Sequence, residues 1–224
     1  MKWITAVAVG FSVLLVQGAS RASQEPSPHY EDPQPMPSDR ADDSYDIYSF
    51  LLKSGPIEWR DEKRVQWLIE DTTTATPTAE DCRPDSHSYG MNPHIVITAP
   101  ADRNAEWNDV LNDYDVHCHN VILLQGEKFH ANIRVHMLDE AARKRYQAAQ
   151  FGAARKDTDK ANEFANAAGM HRFSEVYFSA DHHLAMVEQG MWCGGLCGNW
   201  SWVVLEHKDG KWVILPWVHS FMMS

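Results

Sequence analysis

The chain has 224 residues, 44% of them hydrophobic and 23% charged, with a formal net charge of −11. That length supports one ordinary core, and the acidic balance argues against nucleic acid or anionic lipid as partners, both of which need clustered positive charge.

The chain opens on Lys2, then an uncharged apolar run from Ile4 to Val16, then small residues at Gly18-Ala19-Ser20. This pattern predicts a secretory signal over residues 1–20. The run is shorter than the roughly 20 residues a membrane span needs. No later segment is apolar enough to span, so no stable membrane span is expected after signal cleavage. The expected location is secreted or periplasmic.

Residues 21–44 hold five of the eleven prolines and almost nothing apolar. Such a stretch reads as a Pro-rich disordered linker. A single α+β domain is then expected over 45–224. Tyr45, Tyr48 and Leu52 fall at helical spacing, and Gly55-Pro56 stops the helix. Val65, Trp67 and Ile69 alternate as in a strand. Residues 72–93 read as a long loop carrying Cys82, His94 to Thr98 as a short strand, and Trp107 to Leu111 as a short helix.

Phe129 to Met137 alternates apolar and polar residues, the period of a half-buried strand. Asp139 is placed to cap a following helix, with Glu140 early and Arg143, Lys144 and Arg145 late, as the helix dipole favours. An alanine-rich helix is expected over Asp159 to Ala168, ended by Gly169. Strands follow at Val176–Phe178, Leu184–Met191, Trp200–His207 and Trp212–Val218. Asp209-Gly210 between the last two predicts a tight hairpin, because both central positions of that turn favour positive φ. This register sets Trp202 opposite Trp217. Pro216 donates no hydrogen bond, so the last strand is expected at an edge or bulged. The expected fold is an antiparallel sheet with a C-terminal β-meander, covered on one face by a few helices.

The runs FSEVYFSADHHLAMVEQG, CGGLCG and WVVLEHKDGKWVILPWVHSFMMS, with weaker likeness at YDIYSFLL and WLIEDTT, resemble a group of uncharacterised exported bacterial proteins. These share an alternating strand, a glycine-rich loop, an LxKxxGxW hairpin and a terminal Trp. About half the chain is covered. This chain departs from the group at Glu206-His207-Lys208, where a basic residue is usual before the turn, and carries extra residues near 150–165. The resemblance implies a fold and a location, and no reaction.

Four candidate chemistries remain. Cys193 and Cys197 are spaced C-x3-C, not the C-x2-C of zinc ribbons or thioredoxin-type sites. An exported protein favours a structural disulfide there; cross-pairing with Cys82 or Cys118, metal binding and thiol redox chemistry stay open. His117 and His119, if on a strand, share one face at a spacing copper and zinc sites use, with His182-His183 and His207 as possible spatial neighbours. Asn112 to Asp115 starts like a calcium loop but lacks the glycine and closing glutamate of an EF-hand, and Glu70-Asp71 lies at a strand end. Trp200, Trp202 and Trp217 fall on one sheet face; buried, they are core, and exposed, they form a binding platform for a glycan or peptide. No nucleophile elbow, metalloprotease helix, phosphate loop or dinucleotide loop is present. The sequence calls for no cofactor. It favours a non-enzymatic ligand- or partner-binding or structural domain, with a His/Cys metal-dependent enzyme and a thiol redox protein as alternatives.

Overall fold

The computed structural model describes residues 32–54, 65–85, 92–151, 163–164, 166–167, 169–195, 197–219 and 221–223. The predicted signal segment lies outside the described residues, as does most of the expected helix at 159–168.

The ordered chain starts earlier than the sequence indicates. Strand β1 (Gln34–Pro35) pairs in parallel with β3 (Ile122–Leu123), and helix α1 (Ala41–Ser54) begins four residues before Tyr45. Residues 34–44, read above as linker, therefore belong to the fold. The composition is misleading there because Arg40, the residue just before α1, is held by ion pairs rather than by apolar burial. Asp42 and Asp43 in the first turn and Lys53 in the last suit the α1 dipole.

The α+β class holds, but the sheet is mixed. Its order is β10-β8-β7-β5-β2-β4, with β6 on β7 and β9 on β8. The elements are β2 (Gln66–Glu70), β4 (Arg134–Leu138), β5 (Met170–Phe173), β6 (Tyr177–Phe178), β7 (Leu184–Gly194), β8 (Cys197–Lys208), β9 (Lys211–Leu215) and β10 (Phe221–Met223). Here the fully antiparallel expectation is corrected: β2 lies between β4 and β5 and pairs in parallel with both. The cause is the crossover from β4 through helix α4 (Glu140–Phe151) back over β2 to β5. Parallel neighbours need such a crossover, and no tight turn follows β4 to make an antiparallel one. From β6 to β9 the sheet is the antiparallel meander read from sequence, to which β5 on β7 and β10 on β8 add antiparallel pairs that the sequence reading did not include.

Alternation along the strands sends side chains to two covered faces, not one. Trp67, Ile69, Phe173, Ala185, Val187, Val203 and Leu205 pack under α1 against Ile47, Tyr48 and Leu51. On the other face Leu184, Met186, Trp202 and Val204 pack under helix α3 (Asn104–His117), while Leu68, Leu138 and Met170 pack under α4. A strand buried on both sides loses its alternating signal, which is why the second helical layer is not legible in β7 and β8.

Several elements differ in extent. The expected strand at 94–98 is a short helix α2 (Pro93–Val96), started by Asn92 accepting from the His94 N–H, with Pro93 at the first position. Helix α3 is far longer than Trp107–Leu111, and its buried line of Trp107, Val110 and Tyr114 has helical spacing. Strand β4 keeps only the second half of the expected run, matching the five residues of β2. Phe129 leaves the strand to pack on Tyr45 and Tyr48. Asp139 accepts from the Ala142 N–H and caps α4.

The β8–β9 hairpin turns at Asp209 (φ 51°) and Gly210 (φ 74°), both in the left-handed region as the Asp-Gly pair predicts. Among the described residues strand β9 pairs only with β8, and Pro216 lies just past its end. Two disulfides join Cys82 to Cys118 and Cys193 to Cys197. Both are consistent with an oxidising compartment. Among the described residues no helix is long and apolar enough to cross a membrane.

Candidate functional site

The sequence-derived candidates are scattered. His117 ends α3 and His119 lies beyond the helix cap Cys118, so the two do not share a strand face. Among the described residues no three His, Cys, Asp or Glu side chains stand close enough to hold a metal ion. Trp202 and Trp217 are buried against Trp107 and Tyr114 of α3, and so act as core rather than platform. Trp200 stands apart, half-buried beneath the Arg172 guanidinium. Cys193 and Cys197 close the tip of the β7–β8 hairpin.

His117 nevertheless belongs to a pocket of about 350 Å³ between α3 and the β6–β7 turn. Asp109, Asn112, Asp113, Val116 and His117 line it from α3, Phe178 to Ala180 and His182 line it from the turn, and Arg40 forms its floor. The volume lies at the small end of the roughly 300–1,000 Å³ common for ligand sites.

The floor is a closed charge network. Arg40 Nη1 donates to Glu175 Oε1 at 2.5 Å and Nη2 to Asp113 Oδ2 at 2.7 Å. Glu175, at 1% exposure, also accepts from Asn120 Nδ2 at 3.4 Å. The Phe178 N–H donates to Asp113 Oδ2 at 2.8 Å, and the Arg40 guanidinium lies over the Phe178 ring at 5.5 Å. Burial alone lifts the Asp113 carboxyl, but His117, the Phe178 N–H and Arg40 outweigh it and hold it below its ordinary value. Burial raises Glu175, which Arg40, His117 and Asn120 offset only in part.

Two imidazoles meet at this pocket, each held by a carboxylate. His117 Nδ1 bonds Asp113 Oδ1 at 2.8 Å and the Asp113 carbonyl at 3.0 Å. Both partners accept, so Nδ1 carries the proton and Nε2 is the free position. His182 Nδ1 bonds Asp43 Oδ2 at 2.8 Å, and its ring stacks on Phe178 at 4.4 Å. The His182 backbone sits at φ 56°, uncommon for a residue with a Cβ, and its N–H donates to the Ser179 carbonyl at 2.9 Å. Strain of this kind persists where surrounding contacts over-determine it. His183 and His207 pair along the sheet beyond the pocket, where the His207 N–H donates to the His183 carbonyl.

The hydrogen bond to Asp113 raises the His117 pKa above its ordinary 6.5, against the opposing effect of burial. Because the folded value is the higher one, the stability that this ring contributes is fully present below about pH 6.5 and is lost as pH rises through the folded value. Thermal melts of the protein and of H117N are therefore expected to differ most below about pH 6.5 and to converge as pH rises through the raised folded value. A gap that widens with pH contradicts the assignment.

The α3 pair Asp113–His117 has helical i, i+4 spacing and would have been legible had the helix been extended to His117. Arg40 and Glu175 carry no sequence signal, since 135 positions separate them. No protein-family model matches this chain, and neither characterised proteins nor solved structures match it.

Proposed function

We propose that this protein is an exported, non-catalytic binding domain whose α3/β6–β7 pocket takes a small ligand bearing a protonated amine. The carrying observation is the state of Arg40: its guanidinium is already bonded to Asp113 and Glu175. One arginine faces three carboxylates, Asp109, Asp113 and Glu175, so an excess of negative charge remains with both imidazoles neutral. Asp109 is exposed and unshared with Arg40, and the Nε2 positions of His117 and His182 are acceptors when neutral. A cationic head group with a short apolar body, resting on Val116 and Phe178, complements this lining.

Export rests on the apolar N-terminal segment and on the two disulfides, and the bacterial group is proposed on the C-terminal motifs alone. The metal and thiol alternatives find less support. No three ligands gather among the described residues, and the Cys193–Cys197 pair sits at a hairpin tip rather than at a helix N-terminus, where thiols gain reactivity. Acid–base catalysis is the second reading, because two carboxylate-held imidazoles face one pocket.

Calorimetric titration with putrescine and with the neutral isostere 1,4-butanediol tests the proposal. Binding of the diamine, weakened about tenfold by D109N, is the expected outcome. Equal affinity for both compounds would sink it.

A further inference from the structure

The face shared by α3 and α4 carries a second polar site. Helix α3 packs over β6 and the near end of β7, and α4 packs over β4 and the far end of β7. Between them a row of residues crosses the sheet. Sheet register aligns Arg172 of β5 with Gly190 of β7 and Gly190 with Trp200 of β8, and Glu70 ends β2 beside β5. Glu188 lies two residues along β7 on the same face.

Gly190 is what lets this row close. A Cβ there would stand 2.4 Å from Trp200 Cδ1 and 3.1 Å from Arg172 Nε, so ring and guanidinium both rest over the bare backbone. Arg172 lies 5.0 Å from the Trp200 ring centroid.

Among the described residues none of these four side chains closes a salt bridge, and the one contact between them is that of Arg172 with the Trp200 ring. Arg40 and Arg103 each close onto two carboxylates at 2.5–2.8 Å. Among the described residues, Arg172 closes onto none; burial raises both the Glu70 and the Glu188 carboxyl, which Arg143 and Arg172 offset only in part at Glu70 and Arg172 only in part at Glu188. The Glu70 and Glu188 carboxylates accept no hydrogen bond from a described side chain. The Trp200 Nε1–H is covered and has no acceptor. A covered donor without an acceptor costs about 1–3 kcal/mol, and here the Trp200 N–H stands in one half-buried row with a guanidinium and two carboxylates that do not close onto one another.

We propose that the Glu70–Arg172–Glu188–Trp200 row binds a neutral polyhydroxylated ligand, an oligosaccharide. The row offers donors in Arg172 and the Trp200 N–H and acceptors in Glu70 and Glu188, and the two carboxylates are balanced by two cations, Arg172 and the Arg143 that also acts on Glu70, which gives no strong preference for a charged ligand. A hydroxyl group both donates and accepts, so vicinal hydroxyls satisfy both sets at once. A simple anion would leave the carboxylates unmet, and a simple cation would leave the arginine unmet. This row shares no residue with the lining of the α3/β6–β7 pocket and does not rest on the reading of that pocket.

The test uses the full chain and its tryptophan indole NMR signals, with the Trp200 peak assigned from W200F. Probes are cellotetraose, N-acetylchitotetraose and maltotetraose at millimolar concentration. At least one is expected to move the Trp200 peak saturably, with E188Q and R172K each weakening binding about tenfold and D109N leaving it unchanged. If none of the three moves that peak, or if binding survives both substitutions, the proposal is overturned. E188Q keeps the side-chain shape, so it decides the matter if R172K fails to fold.

Discussion

A chain begun at Tyr45 is expected to fold poorly, whereas one begun at residue 32 keeps the stability of the full protein. The difference is Arg40. It is buried together with Glu175 and bonded to the half-buried Asp113, and it fastens the start of α1 to α3 and to the β5–β6 connection. Removing one partner of a buried ion pair costs about 3–5 kcal/mol, because the other charge stays buried and uncompensated. Whole-domain stabilities are only about 5–15 kcal/mol. R40A in the longer chain isolates the effect, with an expected fall of roughly 10 °C in melting temperature.

The loss should be smallest in acid. Burial raises the Glu175 carboxyl, and without Arg40, which offsets that in part, it rises further. A raised folded value means the penalty is avoided below the unfolded value and grows as pH rises through the folded one. R40M/E175Q, which removes both charges, should recover part of the stability. A melt of R40A within about 2 °C of the parent, less than 1 kcal/mol for a chain this long, would contradict the network's role.

The two disulfides are expected to differ in effect by about twofold. Cys82–Cys118 closes a loop with a sequence separation of 36, and Cys193–Cys197 one of 4. Loop-closure entropy alone gives about 4 kcal/mol for the first and about 2 kcal/mol for the second. Position widens the gap. Cys82 and Cys118 are buried in the cluster under α3, so replacing them by alanine also removes packing there. Cys197 is exposed at the hairpin tip. C82A/C118A should therefore lower denaturant stability by about 4 kcal/mol or more, and C193A/C197A by at most about half as much. Reduction followed by alkylation and mass spectrometry should label Cys193 and Cys197 first. Preferential early labelling of Cys82 would contradict this burial order.

The C-terminal meander was legible because its signals are local. Asp209-Gly210 sets a turn by backbone conformation, and the residues of β7 and β8 favour strands on any face. What stayed hidden depends on distant pairing. The parallel placement of β2 between β4 and β5 follows from a crossover, which no pattern within β2 records. The second covered face erased the alternation that would have separated core from solvent along β7 and β8. Trp202 and Trp217 could not be told from a binding platform until α3 was seen to extend over them.

The site was half legible for the same reason. His117 stood out as a residue type, but its partner set was misjudged, since His119 leaves the helix while Asp113, one turn earlier, holds the ring. His182 gains its place from the turn at Ser179, and its bond to Asp43 spans 139 positions. Arg40 was hidden in a segment whose prolines and polarity suggested a linker. Ion pairing, unlike apolar burial, leaves no mark in composition.

The claim on which the functional account turns is that the α3/β6–β7 pocket attracts cations. Two-dimensional NMR of the His117 and His182 ring protons during a putrescine titration, repeated across pH, tests it most directly. A bound cation disfavours protonation of His117, so binding should tighten as pH rises through the raised His117 value, and the ligand should pull that value down. Both rings should shift with putrescine and neither with 1,4-butanediol. Ring signals that ignore the diamine, or binding that weakens as His117 loses its proton, would contradict the account.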